Sequence, residues 1–174
     1  MRLLARAIRH EGEEAGLKAL RKQARMHAQE AASLKLKAGA MAATELQRCL
    51  TESYPLSPLT TMVLGPLFRQ LAQTERSLFA FLASSEPFGF QEFLREHDIK
   101  DGPYRLDRLY DYVMTSLGPS LFAQHRGKLW AEVQSALERL HDATDLEVML
   151  AKSIGLLQAL GTAAGVPASA PILH

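Results

Sequence analysis

The chain has one cysteine, Cys49, among 174 residues, which excludes an internal disulfide. Asparagine is absent, so there is no N-glycosylation acceptor. Val and Ile are scarce, five and four residues against 29 Leu and 25 Ala. Leu and Ala are strong helix formers and β-branched residues fit strands, so the imbalance favours helix over sheet. No uninterrupted apolar run reaches the roughly 18 residues needed to span a bilayer. No G-x-S-x-G and no C-x-x-C is present. Hydrophobic residues make up 47% and charged residues 22%, which sets aside a disordered or collagen-like chain. A chain of this length removes roughly 70% of its unfolded surface on folding, enough for a real core. The expectation is an all-α fold, a multi-helix orthogonal bundle with a long N-terminal helix.

An excess of one charge sign is also lacking overall, at net +1, but the charge is unevenly placed. Residues 1–37 hold nine Lys and Arg against four Glu, while residues 38–174 hold eleven against fifteen acids. The basic residues are Arg2, Arg6, Arg9, Lys18, Arg21, Lys22, Arg25, Lys35 and Lys37. Such a segment can meet an acidic partner such as a phosphate backbone, although mixed-charge helices more often present a solvated face. Glu11, Glu13 and Glu14 interrupt the run. The same glutamates depart from an acid-poor transit peptide, and Arg6 and Arg9 break any secretory apolar stretch. The lone thiol suits a reducing compartment, so the sequence reads as cytoplasmic and without a membrane segment.

Residues 2–36 read as helix, long or in two pieces, with Gly12 and Gly16 loosening its first turns. Leu17, Leu20, Ala24, Ala28 and Ala31 make a thin apolar stripe suited to packing on another helix. A break near 37–41 precedes a helix over about 41–53, with Leu46, Cys49 and Leu50 on one side and Cys49 as a small buried hydrophobe. Ser57 before Pro58 is a helix start, and the next helix sends Leu59, Met62, Val63, Leu67 and Leu71 toward a core, with a kink expected at Pro66. Thr74 caps a further helix burying Leu78, Phe79 and Leu82. Phe88, Phe90, Phe93 and Leu94 form a short aromatic helix. Leu106, Leu109, Tyr110, Val113 and Leu117 are a helical stripe closed by Gly118. A helix over 128–141 presents Leu129, Val133, Leu137 and Leu140, with Trp130 beside that face capping the core. Thr144 and Glu147 form a capping box for a helix that stops at Gly161. The apolar stretch 165–174 looks like the beginning of another element.

Catalytic signatures fail on spacing. Gly127-Lys128 lacks the glycine and the hydroxyl of a phosphate loop, because Phe122 and Leu129 occupy those positions. His10-Glu11 opens like a zinc-protease helix, but position 14 is Glu. Histidines 10, 27, 97, 125, 141 and 174 have no ligand spacing, so neither a metal nor a cofactor is expected. Asp107 with Asp111 and Glu138 with Asp142 lie four apart, as a carboxylate pair would, but arginines flank both and favour solvated ion pairs.

Three stretches recur together in a known order: Tyr54-Pro-Leu-Ser-Pro-Leu-Thr-Thr61, Leu71-Ala-Gln-Thr-Glu-Arg-Ser-Leu-Phe-Ala-Phe-Leu82 and Arg105-Leu-Asp-Arg-Leu-Tyr-Asp-Tyr112. Helices like Trp130–Leu137 and Leu150–Leu157 follow them. The order resembles an internal helical region of large bacterial P-loop ATP-binding proteins of the restriction and phage-defence type. There the region acts as an ATPase lid leading into a winged-helix-like segment. The resemblance covers roughly residues 40–173. Ser57 stands where the pattern usually has His, and Thr74 where it has Asn. No Walker A or Walker B segment is present, which leaves hydrolysis to another polypeptide or to an upstream part of a longer product. The basic N-terminal helix (1–40) is set apart by its charge, and the resemblance implies a lid-like segment (41–100) and a C-terminal helical segment (101–174) after it. It makes Arg76, oriented by Glu75, the residue that would reach a nucleotide held elsewhere, since a guanidinium pairs bidentately with phosphate oxygens. The leading expectation is a non-enzymatic module that docks on an ATPase core or another protein partner. A nucleic-acid-binding helical protein acting through residues 2–37, and an enzyme using the Asp107/Asp111 pair, are the other two readings.

Overall fold

A computed structural model of the chain describes residues 1–70, 74–122 and 127–173, the side chains of 74–77, 99 and 120 excepted. Among these residues the architecture is all-α, a multi-helix bundle. Its one β-type contact is an isolated bridge between Leu56 and Tyr104, and no hairpin that could serve as a wing is found among them.

The N-terminal helical region is in two pieces, α1 (Arg2–Ala7) and α2 (Glu14–Ser33). Between them Gly12 takes φ +146°, which a side chain rarely tolerates. In α2 the stripe faces inward as its spacing predicts: Ala24, Ala28 and Ala31 are buried and Leu17 and Leu20 half-buried. Small side chains let α2 lie close along α3 (Ala43–Glu52), which buries Leu46, Cys49 and Leu50. The Ser57 hydroxyl accepts the Thr60 N–H at 3.2 Å and opens α4 (Pro58–Gln70). That helix runs on through the buried Pro66 to Gln70, while Leu71 lies outside the described residues.

In α5 (Thr74–Ala83) the expectation for Phe79 is overturned: it is 51% exposed, and Phe81 is buried instead. Leu78, Phe81 and Leu82 share the i, i+3, i+4 face, and Phe79 points about 100° away from Leu78 around the helix. In α6 (Phe90–Glu96) Phe90 and Phe93 are buried and Leu94 is exposed, again by helical phase, whereas Phe88 lies outside the helix it was expected to join, exposed in the preceding turn at φ +61°. A 3-10 turn, Ile99–Asp101, leads through Gly102 to α7 (Leu106–Tyr112). Gly118 does not close that stripe. The chain passes through a π-helical turn, Val113–Leu117, and Gly118 begins α8 (Gly118–Phe122). In α9 (Gly127–Glu138) Trp130 is fully buried in the core rather than capping it, and Leu140 is 38% exposed beyond the helix end.

α10 (Asp145–Ala164) starts at the expected capping box, where Thr144 N–H donates to Glu147 at 2.8 Å. It passes Gly161 and ends at Gly165, which takes the left-handed conformation. At Gly161 a Cβ would collide with the carbonyl oxygen of Val166, whose N–H donates to the Gly161 carbonyl at 2.8 Å. Gly161 therefore serves the Schellman-like closure from inside the helix. A short α11 (Ala170–Leu173) completes the described chain.

α10 packs against α4, α7 and α9, and one hydrophobic cluster runs from Leu4 to Val166 through all three sequence segments. Phe81 is its aromatic hub, within 5.0 Å of the Tyr112 ring and 5.5 Å of the Tyr104 ring. Tyr104 Oη donates to the Phe88 carbonyl at 2.6 Å, and Tyr112 Oη donates to Glu86 at 2.8 Å.

Candidate functional site

Arg76 and Glu75 sit on α5, but their side chains lie outside the described residues, as does that of Thr74. His125 and His174 also fall outside them. The acid pairs are each engaged by neighbours. Asp107 lies 3.4 Å from Arg105, and Asp111 lies 2.7 Å from Lys152. Glu138 accepts from Gln134 at 3.2 Å, and Asp142 is exposed. Neither pair closes on a shared pocket. Among the described residues no group of three His, Cys, Asp or Glu side chains could hold a metal ion.

One cavity, about 590 Å³, opens where the 7–11 segment folds back over α6 and the 54–55 turn. It brings together His10 and His97, which are far apart in sequence. His10 Nε2 lies 2.6 Å from the Tyr54 carbonyl; a carbonyl only accepts, so the proton is on Nε2. His97 stacks on Phe93 with ring centroids 4.5 Å apart. Among the described residues no Ser, Thr, Cys or Lys lines this space, so a histidine base has no such nucleophile among them. Its chemistry is that of anchoring the N-terminal segment.

The more open feature is the N-terminal half of α10. Lys152 on its inner side reaches Asp111 on α7. Both flanks are partly open, with Met149, Leu150 and Ile154 half-buried. On one, Glu147, Leu150, Ala151 and Ile154 recur at i, i+3, i+4 and i+7 and form a shallow groove with Leu140. On the other, Leu146 and Met149 face Leu59, Ile172 and Leu173 across a second groove of about 630 Å³. Leu146 is 61% exposed, the most exposed large apolar side chain described. By length and composition alone α10 is long and apolar enough to cross a membrane, although no uninterrupted apolar run of that length exists in it. Glu147 and Lys152 interrupt the run and conceal it in the sequence.

No family model, curated protein or solved structure matches the chain.

Sequence reading placed α10 and its cap but missed its partly open flanks. The signal available was a helix apolar on more than one side, which demands either full burial or a second neighbour. The pairing of His10 with the Tyr54 carbonyl had no sequence signal, because it joins residues 44 positions apart.

Proposed function

We propose that the chain is a non-enzymatic helical module that docks on a P-loop ATPase core carried by a partner protein or another segment. What supports this reading is the pair of partly open apolar flanks on the N-terminal half of α10, with the exposed Leu146 and the half-buried Leu150 and Ile154. Contiguous exposed apolar surface rimmed by polar residues marks interaction sites. Here the rim is Arg139, Asp142 and Glu147. The commitment to an ATPase core comes from the ordered resemblance of residues 40–173 together with the missing phosphate loop. In this reading Arg76, oriented by Glu75, reaches the nucleotide of the core and couples its occupancy to movement of the module.

The test first asks whether a reading frame adjacent to this one encodes a phosphate-loop protein, and takes that protein as the partner. Mixing the two should give a complex on size exclusion and a changed nucleotide affinity. Leu146→Asp and Ile154→Asp should abolish the complex while leaving helix content intact. Arg76→Ala should preserve the complex but remove the effect on nucleotide. Absence of a complex, or ATP turnover by this chain alone, would end the proposal.

A further inference from the structure

The cations of the N-terminal region are concentrated by the fold rather than scattered over it. At 100° per residue, Lys18, Arg21, Lys22 and Arg25 fall within an arc of about 100° on one flank of α2. All four are exposed, and among the described residues none makes an ion pair. The acid that α2 does pair, Glu30 with His27 at 3.3 Å, lies on the opposite flank. At the C-terminal end of this row Arg25 meets Arg48 of α3 across a shallow groove of about 360 Å³. The rest of that groove is Gln29, Thr44, Gln47 and Thr51, so among the described residues no apolar side chain lines it. Arg48 has two acidic neighbours on α3, Glu52 at a loose 3.7 Å with both side chains exposed, and Glu45, whose carboxylate is engaged chiefly by Arg2. Glu14 is the remaining acid near the row, at the first turn of α2. Arg2, by contrast, is consumed by Glu45 at the α1–α3 contact.

We propose that this α2–α3 face binds the phosphate backbone of duplex nucleic acid without reading sequence. The lining decides between occupants. Protein interfaces are anchored by buried apolar and aromatic side chains, and this groove has none. Guanidinium, amide and hydroxyl groups are the side chains that contact phosphate oxygens. No aromatic ring lines it, so it offers no platform for unstacked bases, which points to duplex rather than single strand. The size also fits. Lys18 to Arg25 spans about 10 Å at 1.5 Å per residue, a length over which a duplex presents about six phosphates. The acidic remainder of the chain orients this face toward the polyanion. The surface is separate from the α10 flanks, so both can be occupied together.

The experiment is fluorescence anisotropy of a labelled mixed-sequence DNA duplex with the full chain over a salt series, with an oligo-glutamate peptide as competitor. Binding at low salt should weaken with a log–log slope of about −4 to −5, as about five counterions are released. Arg25→Glu with Arg48→Glu should lower affinity at least tenfold and flatten the slope by about two. Lys128→Glu, on the exposed side of α9, should change neither. Unaltered far-UV circular dichroism certifies the variants. No binding at low salt, or equal binding by the Arg25/Arg48 variant, overturns the proposal. Competition by oligo-glutamate as effective as by unlabelled duplex at equal charge overturns it in favour of an acidic protein partner.

Discussion

Gly155 lies where α10 crosses α9, and a Cβ at this position would press into both methyl groups of Val133. Two effects of Gly155→Ala therefore oppose each other. Alanine is the better helix former by about 1 kcal/mol. Overpacking of a tight core costs about 1–3 kcal/mol. The second effect wins here, because Val133 is buried and its β-branched side chain has little rotamer freedom with which to move aside. The variant should lose about 1–2 kcal/mol in urea denaturation, and combining it with Val133→Ala should recover part of the loss. A variant as stable as the parent would mean that α9 and α10 can separate without cost. The same close approach explains why another glycine misleads. Gly161 sits against the carbonyl oxygen of Val166 and so marks a contact inside α10 rather than its end, while Gly127, against the Phe122 carbonyl oxygen, opens α9.

At the scale of elements, α10 depends on its first turn, since its N-terminal half is only partly buried. Thr144→Ala removes the cap and should cost about 1 kcal/mol at neutral pH. The backbone N–H of Thr144, and then its hydroxyl, hold the Glu147 carboxyl below the usual carboxylate range. A depressed folded pKa contributes stability that is present above the unfolded carboxylate value and lost as pH falls through the folded one. The melting temperature of Glu147→Ala should therefore lie below that of the parent at neutral pH and approach it in acid. A gap that stays constant with pH would contradict the charged cap. Starts of this kind were legible in the sequence: Ser57-Pro58 and Thr144–Glu147 are local hydrogen-bond patterns that need no tertiary context. The 106/109/110/113 stripe was legible for the same reason, being one face of one helix. Helix phase in α5 was not, because Phe79 and Phe81 are chemically alike and only the rings of Phe68, Tyr104 and Tyr112 select Phe81. The partner faces were the least legible. The cationic flank of α2 could be read from spacing, but its junction with Arg48 depends on how α2 lies on α3.

For the molecule as a whole, the question is whether one shared core makes the chain unfold as a unit. The tyrosines supply an internal titration of that core. All four are buried, Tyr104, Tyr110 and Tyr112 within that cluster, and burial pushes every phenol up, Tyr110 to about 12. Tyr112 is raised further by its hydrogen bond to Glu86 and by that carboxylate's charge. A phenol whose folded pKa exceeds its unfolded value of about 10 leaves stability intact below that pH. Above it the unfolded state releases protons that the folded state retains, so stability falls as pH rises. Tyr54 belongs to the second sequence segment and Tyr104, Tyr110 and Tyr112 to the third, which also holds Trp130, the one tryptophan of the chain. Alkaline titration should consequently give a single transition in which tyrosinate absorbance, Trp130 emission and helical circular dichroism change together. Tyrosinate formed while the helix signal persists would show that the 41–100 and 101–174 segments come apart before they unfold. In that case the Leu56–Tyr104 bridge and the Thr60 hydroxyl bond to the Tyr104 carbonyl at 3.1 Å would be the joint that opens first.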